Sequence, residues 1–97
     1  MIEKELMDCI AKAARVLLRY GAKEVYVFGS AAEGEMHAHS DVDLAVLGLP
    51  ASSYYKAVGD ALGALGMPLD LVKLEDDTAL ARHLLAKRER GELQRVA

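Results

Sequence analysis

Hydrophobic residues recur at three- and four-residue spacing along the first twenty positions, which predicts an amphipathic helix over residues 2–20. Gly21 follows this run and is expected to end the helix in a left-handed conformation. Cys9 falls on the apolar face, where we expect a small buried residue rather than a reactive thiol. The apolar positions of this face are Ile2, Leu6, Cys9, Ile10, Ala13, Val16, Leu17 and Tyr20.

The rest of the chain alternates strand-like and helical segments. Runs rich in β-branched and aromatic residues predict strands over residues 24–28, 42–48 and 69–74. A short helix is expected near residues 31–34, and longer helices are predicted up to about residue 65 and over about residues 78–90. The residues expected to cap or stop the longer helices are Ser52 or Ser53, Gly66, Asp76 or Asp77, and Gly91.

The resulting order, α-β-(α)-β-α-β-α, predicts an α/β (α+β) fold with helices packed on a small mixed sheet of about three strands. A chain of 97 residues with one apparent core is expected to form a single domain, residues 1–97.

Composition narrows the classes of function. The chain is 53% hydrophobic and 28% charged with a net charge of −3, as is typical of a soluble globular protein. Basic residues cluster only in the last predicted helix, so general nucleic-acid binding is not expected. No apolar run reaches membrane-spanning length, the charged N-terminus is unlike a signal peptide, and the single cysteine suits a reducing compartment. We therefore expect a cytoplasmic location and no membrane partner.

Three aspartates stand in strand-like surroundings. Asp41 and Asp43 should project from the same face, because residues i and i+2 of a strand do so. Asp70, in PLDLVKL, can join them if the third strand lies beside the second. Like charges this close repel unless a cation intervenes, and such a set suits a two-metal phosphoryl-transfer site. A turn residue or an exposed charge on an edge strand would explain each aspartate by itself, but the occurrence of all three in strand-like surroundings favours the metal site.

Gly29 and Ser30 directly follow the first predicted strand. Glycine lets the backbone approach a ligand closely, and a hydroxyl and N–H groups at a helix start suit phosphate. A Gly-Ser pair by itself is a weak signal, because most such pairs are simple turns.

Together these motifs resemble a known family. G-S-x-A-x-G at residues 29–34, S-D-x-D-L at residues 40–44 and D-L-V at residues 70–72 are similar to the nucleotidyltransferase superfamily related to DNA polymerase β. The size of the chain and R-G-E-L at residues 90–93 resemble its minimal nucleotidyltransferases, the MNT proteins. The resemblance implies the nucleotidyltransferase fold and a magnesium-dependent transfer of a nucleoside monophosphate, from ATP or another nucleoside triphosphate, to a hydroxyl group.

The resemblance also implies roles for residues and a partner. By motif position, Asp41 and Asp43 would hold two magnesium ions, and Asp70 would hold the catalytic metal and help to deprotonate the acceptor. Gly29 and Ser30 would contact the triphosphate. MNT proteins are often antitoxins that add AMP to a tyrosine of a HEPN-domain toxin. So short a chain needs an acceptor surface from such a partner or from a second copy of itself.

The sequence departs from the family pattern at two positions. Ala31 and Glu33 stand where basic residues are usual, which should weaken triphosphate binding. Lys23, Lys56 or a partner chain can supply the charge. The alternative function is therefore a binding module that neutralises its partner by contact, with catalysis weak or lost. Transfer to a small molecule is a third, less favoured option.

Other conspicuous residues have ordinary explanations. His37 and His39 form an H-x-H without the further ligands of a zinc site, so a solvated loop is expected rather than a metal or nucleotide contact. Tyr54 and Tyr55 are adjacent in a helix, so only one can face the core. His83 is expected at the surface or an interface.

Overall fold

A computed structural model describes residues 3–34 and 41–97 of the chain. A turn of 3-10 helix, Ala51–Ser53, precedes the third α-helix. Across the described residues the helices are α1 (Lys4–Arg19), α2 (Gly29–Glu33), α3 (Tyr54–Leu65) and α4 (Ala79–Glu89). The strands are β1 (Glu24–Phe28), β2 (Val42–Leu47), β3 (Leu69–Lys73) and β4 (Gln94–Arg95). The predicted α/β fold is confirmed, with one strand more than expected.

The strands form a mixed sheet in the order β3-β2-β1-β4. β1 runs antiparallel to both β2 and β4, whereas β2 and β3 are parallel. A parallel pair needs a crossover connection, which α3 provides. β4 is two residues long and pairs with the outer edge of β1, so it was too short for the sequence pattern to predict.

Alternate strand residues face opposite sides of the sheet, and each side has its own core. On one side, Val25, Val27 and Leu44 pack with buried residues of α1 and α3. On the other side, Tyr26 and Ala45 join a smaller cluster that includes residues of α4.

α4 is anchored at one end of its side of the sheet. Arg88 donates to both carboxylate oxygens of Glu24, at 2.8 and 2.9 Å, and the Tyr26 hydroxyl donates to the same carboxylate. Glu24 begins β1, whereas Phe28 ends it and pairs with Asp43 of β2. The ion pair that anchors α4 therefore lies at the opposite end of the sheet from Asp43.

Two capping predictions were wrong in detail. α4 is capped by Thr78, whose side-chain oxygen accepts a backbone N–H of the first turn at 3.1 Å. Neither Asp76 nor Asp77 takes this role, because both lie in the connection before the cap, and Asp77 forms an ion pair with Arg82 instead. Ser53 occupies the N-cap position of α3, but its side chain makes no capping hydrogen bond.

The predicted helix-ending glycines and the position of Cys9 on the apolar face are confirmed. The glycines at positions 21, 66 and 91 follow their helices with positive φ. Cys9 is partly buried and packs against the larger core. Among the described residues, the helices are too short or too polar to cross a membrane.

Candidate active site

The parallel pairing of β2 with β3 brings two of the predicted site residues side by side. Asp43 is the direct register partner of Asp70, and partners in a ladder point to the same face. Asp43 is half-buried, whereas Asp70 is exposed. Burial raises the pKa of Asp43 above its ordinary value, and the charges of Asp70 and Asp41 raise it further. The site thus concentrates negative charge that a cation would relieve.

Asp41 lies at the margin of this pair. It precedes β2 by one residue and is exposed, so the strand alternation that predicted its direction does not govern it. Its charge nevertheless acts on Asp43. Within residues 3–34 and 41–97, no three His, Cys, Asp or Glu side chains are grouped closely enough to hold a metal ion. Magnesium is commonly held by one or two carboxylates plus substrate phosphates, so Asp43 and Asp70 fit an ion that binds together with a nucleotide.

Gly29 forms the wall of the site on the β1 side. It follows Phe28 at the end of β1 and turns the chain into α2 with φ of 69°. A Cβ atom at this position would lie 3.2 Å from Cγ of Asp43 and closer still to its Oδ2. The turn therefore requires glycine both for its backbone conformation and for its approach to the carboxylate. Ser30, half-buried, is the next residue of α2.

A cavity of about 230 Å³ adjoins this turn. It lies between α2, the end of β1 and the segment that joins α4 to β4, and Gly29 and Glu33 line it. Glu33 is exposed at the end of α2, so an acidic side chain occupies the cavity wall beside the candidate phosphate-binding turn.

The lysines that the sequence suggested as replacement cations lie elsewhere. Lys23 packs beside Gly48, near the start of β1 and away from Gly29. Lys56 is exposed on α3, which packs on the opposite side of the sheet from Asp43. Lys87 of α4 does line the cavity. Sequence reasoning missed Lys87 because only the folded chain brings this residue of α4 into the lining of the same cavity as Gly29.

The remaining conspicuous residues are not gathered at this site. The Tyr54 hydroxyl lies 3.5 Å from the carbonyl oxygen of Leu71, whereas Tyr55 is 86% exposed, so one of the two faces the protein as predicted. His83 is exposed. His37 and His39 lie outside the described residues.

Comparison with known proteins identifies the family to which the chain belongs. Residues 11–90 match the family described as "Polymerase beta, Nucleotidyltransferase". The chain belongs to this nucleotidyltransferase family. No match in sequence is found among curated proteins.

The fold is also similar to those of several solved structures, one of which is a minimal nucleotidyltransferase by its description. A protein assigned as a minimal nucleotidyltransferase is 28% identical with a TM-score of 0.73, and the match covers 89% of this chain and 92% of that one. A toxin–antitoxin structure with AMP-PNP is 24% identical with a TM-score of 0.67, covering 89% and 70%. The MntA–HepT toxin–antitoxin structure is 20% identical with a TM-score of 0.58, covering 98% and 72%. At the two lower identities the likeness is one of fold.

Proposed function

We propose that this protein is a metal-dependent nucleotidyltransferase that moves AMP from ATP to a hydroxyl group of a partner protein. One observation carries the proposal: Asp43 and Asp70 lie in register on one face, with Gly29 packed against Asp43, in a chain of the nucleotidyltransferase family. Paired carboxylates beside a close-approaching backbone turn are suited to a magnesium-bound triphosphate.

The proposed ligands follow from position and exposure. Asp43 and Asp70, with Asp41 at the margin, would hold magnesium, of which the family resemblance implies two ions. Bound magnesium would neutralise the triphosphate and stabilise charge on the leaving group. Gly29 and Ser30 would contact the phosphates.

In the proposed reaction, the acceptor hydroxyl oxygen forms a bond to the α-phosphorus of ATP. The bond between that phosphorus and the oxygen bridging to the β-phosphate breaks, and its electron pair leaves with pyrophosphate. Asp70 takes the proton of the hydroxyl as general base. Its exposure supports this role, because an acceptor on another protein can reach it, whereas Asp43 is half-buried.

The proposed acceptor is a tyrosine of a HEPN-type toxin, which makes this protein the antitoxin of a pair. The support is structural: the fold resembles chains found in toxin–antitoxin complexes, one of them with AMP-PNP, an analogue of ATP. A second copy of this chain is the other possible source of an acceptor surface.

A binding module that neutralises its partner by contact is the second candidate, and Glu33 favours it. Its exposed carboxylate lines the cavity beside Gly29, where it would repel phosphate. Only Asp43 of the three aspartates is half-buried, and Asp41 and Asp70 are exposed, so the carboxylates cost little stability in a protein that binds no metal.

Asp70→Asn separates the two candidates. The protein would be incubated with a HEPN partner, magnesium and α-labelled ATP, and partner binding would be measured in parallel. An enzyme loses AMP transfer on Asp70→Asn and still binds its partner, whereas a contact inhibitor transfers nothing in either form and neutralises equally well. Asp8→Asn, an exposed change on α1, is the control and should transfer normally. Transfer that persists in Asp70→Asn would contradict the assignment of the base.

A further inference from the structure

The chain has four tyrosines, and the fold engages the hydroxyl groups of three of them. The hydroxyl groups of Tyr20 and Tyr26 donate to carboxylates of α3 and β1. The hydroxyl group of Tyr54 lies 3.5 Å from a backbone carbonyl oxygen of β3. Tyr55 is 86% exposed, and within residues 3–34 and 41–97 its hydroxyl group has no hydrogen-bond partner. Tyr55 is therefore the tyrosine whose oxygen is open to another molecule.

The fold holds the ring of Tyr55 in a defined place. Tyr55 lies in the first turn of α3, and its ring packs edge-on against that of Tyr54, with centroids 5.4 Å apart and planes at 86°. Both rings line an open depression of about 380 Å³ together with Lys73 and Asp76. These two charges are of opposite sign, so the surface around Tyr55 carries no excess of negative charge that acidic groups of another molecule would repel.

Tyr55 lies near the same edge of the sheet as the proposed general base. β3 is the outermost strand on its side of the described sheet, and Asp70 is exposed on it. The carbonyl oxygen that Tyr54 approaches belongs to Leu71, the residue after Asp70. However, α3 packs on the opposite side of the sheet from Asp43 and Asp70. Tyr55 is therefore poorly placed to meet the carboxylates of its own chain.

A second copy of the chain removes this obstacle. A two-fold axis that lies in the plane of the sheet, along the β3 edge, turns one copy over relative to the other. The α3 side of one copy then continues the surface that carries Asp70 in the other. Because a two-fold contact is reciprocal, each Tyr55 would face the Asp70 of the opposite copy. A transient encounter of this kind is enough for a transfer reaction.

We propose that Tyr55 is an acceptor of AMP that a second copy of this chain transfers to it. The inference rests on the proposed function and adds an acceptor to the one on a partner toxin. The phenolic oxygen of Tyr55 forms a bond to the α-phosphorus of ATP. The bond from that phosphorus to the oxygen bridging to the β-phosphate breaks, and its electron pair leaves with pyrophosphate. The phenolic proton passes to Asp70 of the second copy.

The first test locates the modified residue. The full chain would be incubated with magnesium and α-labelled ATP, and the labelled peptides would be identified by mass spectrometry. The wild type should carry AMP on Tyr55, and Tyr55→Phe, which removes only the acceptor oxygen of an exposed side chain, should lose this label completely. Tyr54→Phe is the matched control, because its hydroxyl group faces β3, and it should be labelled as the wild type is.

The second test shows whether the transfer runs between copies. Asp70→Asn keeps the acceptor and lacks the base, whereas Tyr55→Phe keeps the base and lacks the acceptor. Neither variant alone should gain AMP at position 55. In a mixture of the two, only the Asp70→Asn chain should gain it, and intact-mass measurement distinguishes the two chains.

The outcomes separate this inference from the proposed function. Absence of AMP from Tyr55 in a folded wild type overturns the inference, as does labelling of Asp70→Asn alone. If the same wild type transfers AMP to a HEPN partner, the proposed function stands without the self-modification. If it transfers AMP to neither and does not bind magnesium–ATP, the proposed enzyme is contradicted as well.

Discussion

Replacing Gly29 with alanine would place a methyl group where the backbone touches the Asp43 carboxylate. The added Cβ would lie 3.2 Å from Cγ of Asp43 and closer still to Oδ2. Non-bonded carbon atoms prefer about 3.5 to 4.0 Å, so the carboxylate must swing away. The end of a side chain can make this movement at small cost to stability, but Asp43 then leaves its position beside Asp70.

Gly66→Ala is the matched control for backbone strain. Gly29 and Gly66 have φ of 69° and 75°, so alanine should cost about 1 to 2 kcal/mol in the free energy of unfolding at either position. No heavy atom lies within 4 Å of a Cβ added at Gly66. Both variants should therefore melt lower by roughly 4–8 °C for each kcal/mol lost. A difference between the two variants in their affinity for nucleotide would therefore come from the contact with Asp43 and not from backbone strain.

Calorimetric titration with ATP and magnesium, below the melting temperature of both variants, measures that difference. Gly29→Ala should lose about 10- to 100-fold in metal-dependent affinity, the usual cost of disturbing a group that orients a metal ligand. Gly66→Ala should bind as the wild type does. Urea unfolding of the same samples would show that the two variants are similarly destabilised.

Two results would refute this reasoning. Wild-type affinity in Gly29→Ala would mean that nucleotide binding does not depend on how Gly29 positions Asp43. Equal losses of affinity in both variants would assign the effect to backbone strain and general destabilisation.

Three further substitutions test other contacts. Asp43→Asn should raise the free energy of unfolding of metal-free protein by up to about 1 kcal/mol, because it removes a half-buried charge; lower stability in urea with chelator present would contradict this. The hydrogen bond from Arg88 is the main cause that lowers the pKa of Glu24 to about 2, so the stability it contributes is full above its ordinary pKa of 4.5 and is lost as pH falls from there towards 2. The stability difference between the wild type and Glu24→Gln should therefore shrink in acid, and a constant difference in urea unfolding would oppose that reading. Thr78→Ala should cost about 1 kcal/mol of stability in thermal unfolding, and Thr78→Ser, which keeps the hydroxyl cap, should cost much less.

Local sequence patterns predicted most elements, each by a different signal. Apolar periodicity predicted α1, capping and stop residues predicted α3 and α4, and runs of β-branched and aromatic residues predicted the three longer strands, all close to their observed bounds. β4 has two residues and exists because the chain after α4 returns to the edge of β1. The cap of α4 at Thr78 depended on one side-chain hydrogen bond, for which Asp76 and Asp77 were equally plausible from sequence.

Strand alternation predicted the meeting of two aspartates but not the other contacts of the site. Asp43 and Asp70 were expected to meet if their strands were neighbours, and the parallel register of β2 and β3 satisfies that condition. The contact between Gly29 and Asp43 and the position of Lys87 depend on how distant elements pack. No spacing within the sequence could have indicated either of them.

Magnesium-dependent binding of ATP is the property on which the proposed enzyme depends. Calorimetric titration of the wild type and of the double variant Asp41→Asn/Asp43→Asn measures it directly, with Asp8→Asn, which removes one exposed charge from α1, as the control. We expect the wild type and the control to bind ATP only with magnesium and the double variant to lose that binding. No binding by a folded wild type, or undiminished binding by the double variant, would contradict a metal site at these carboxylates.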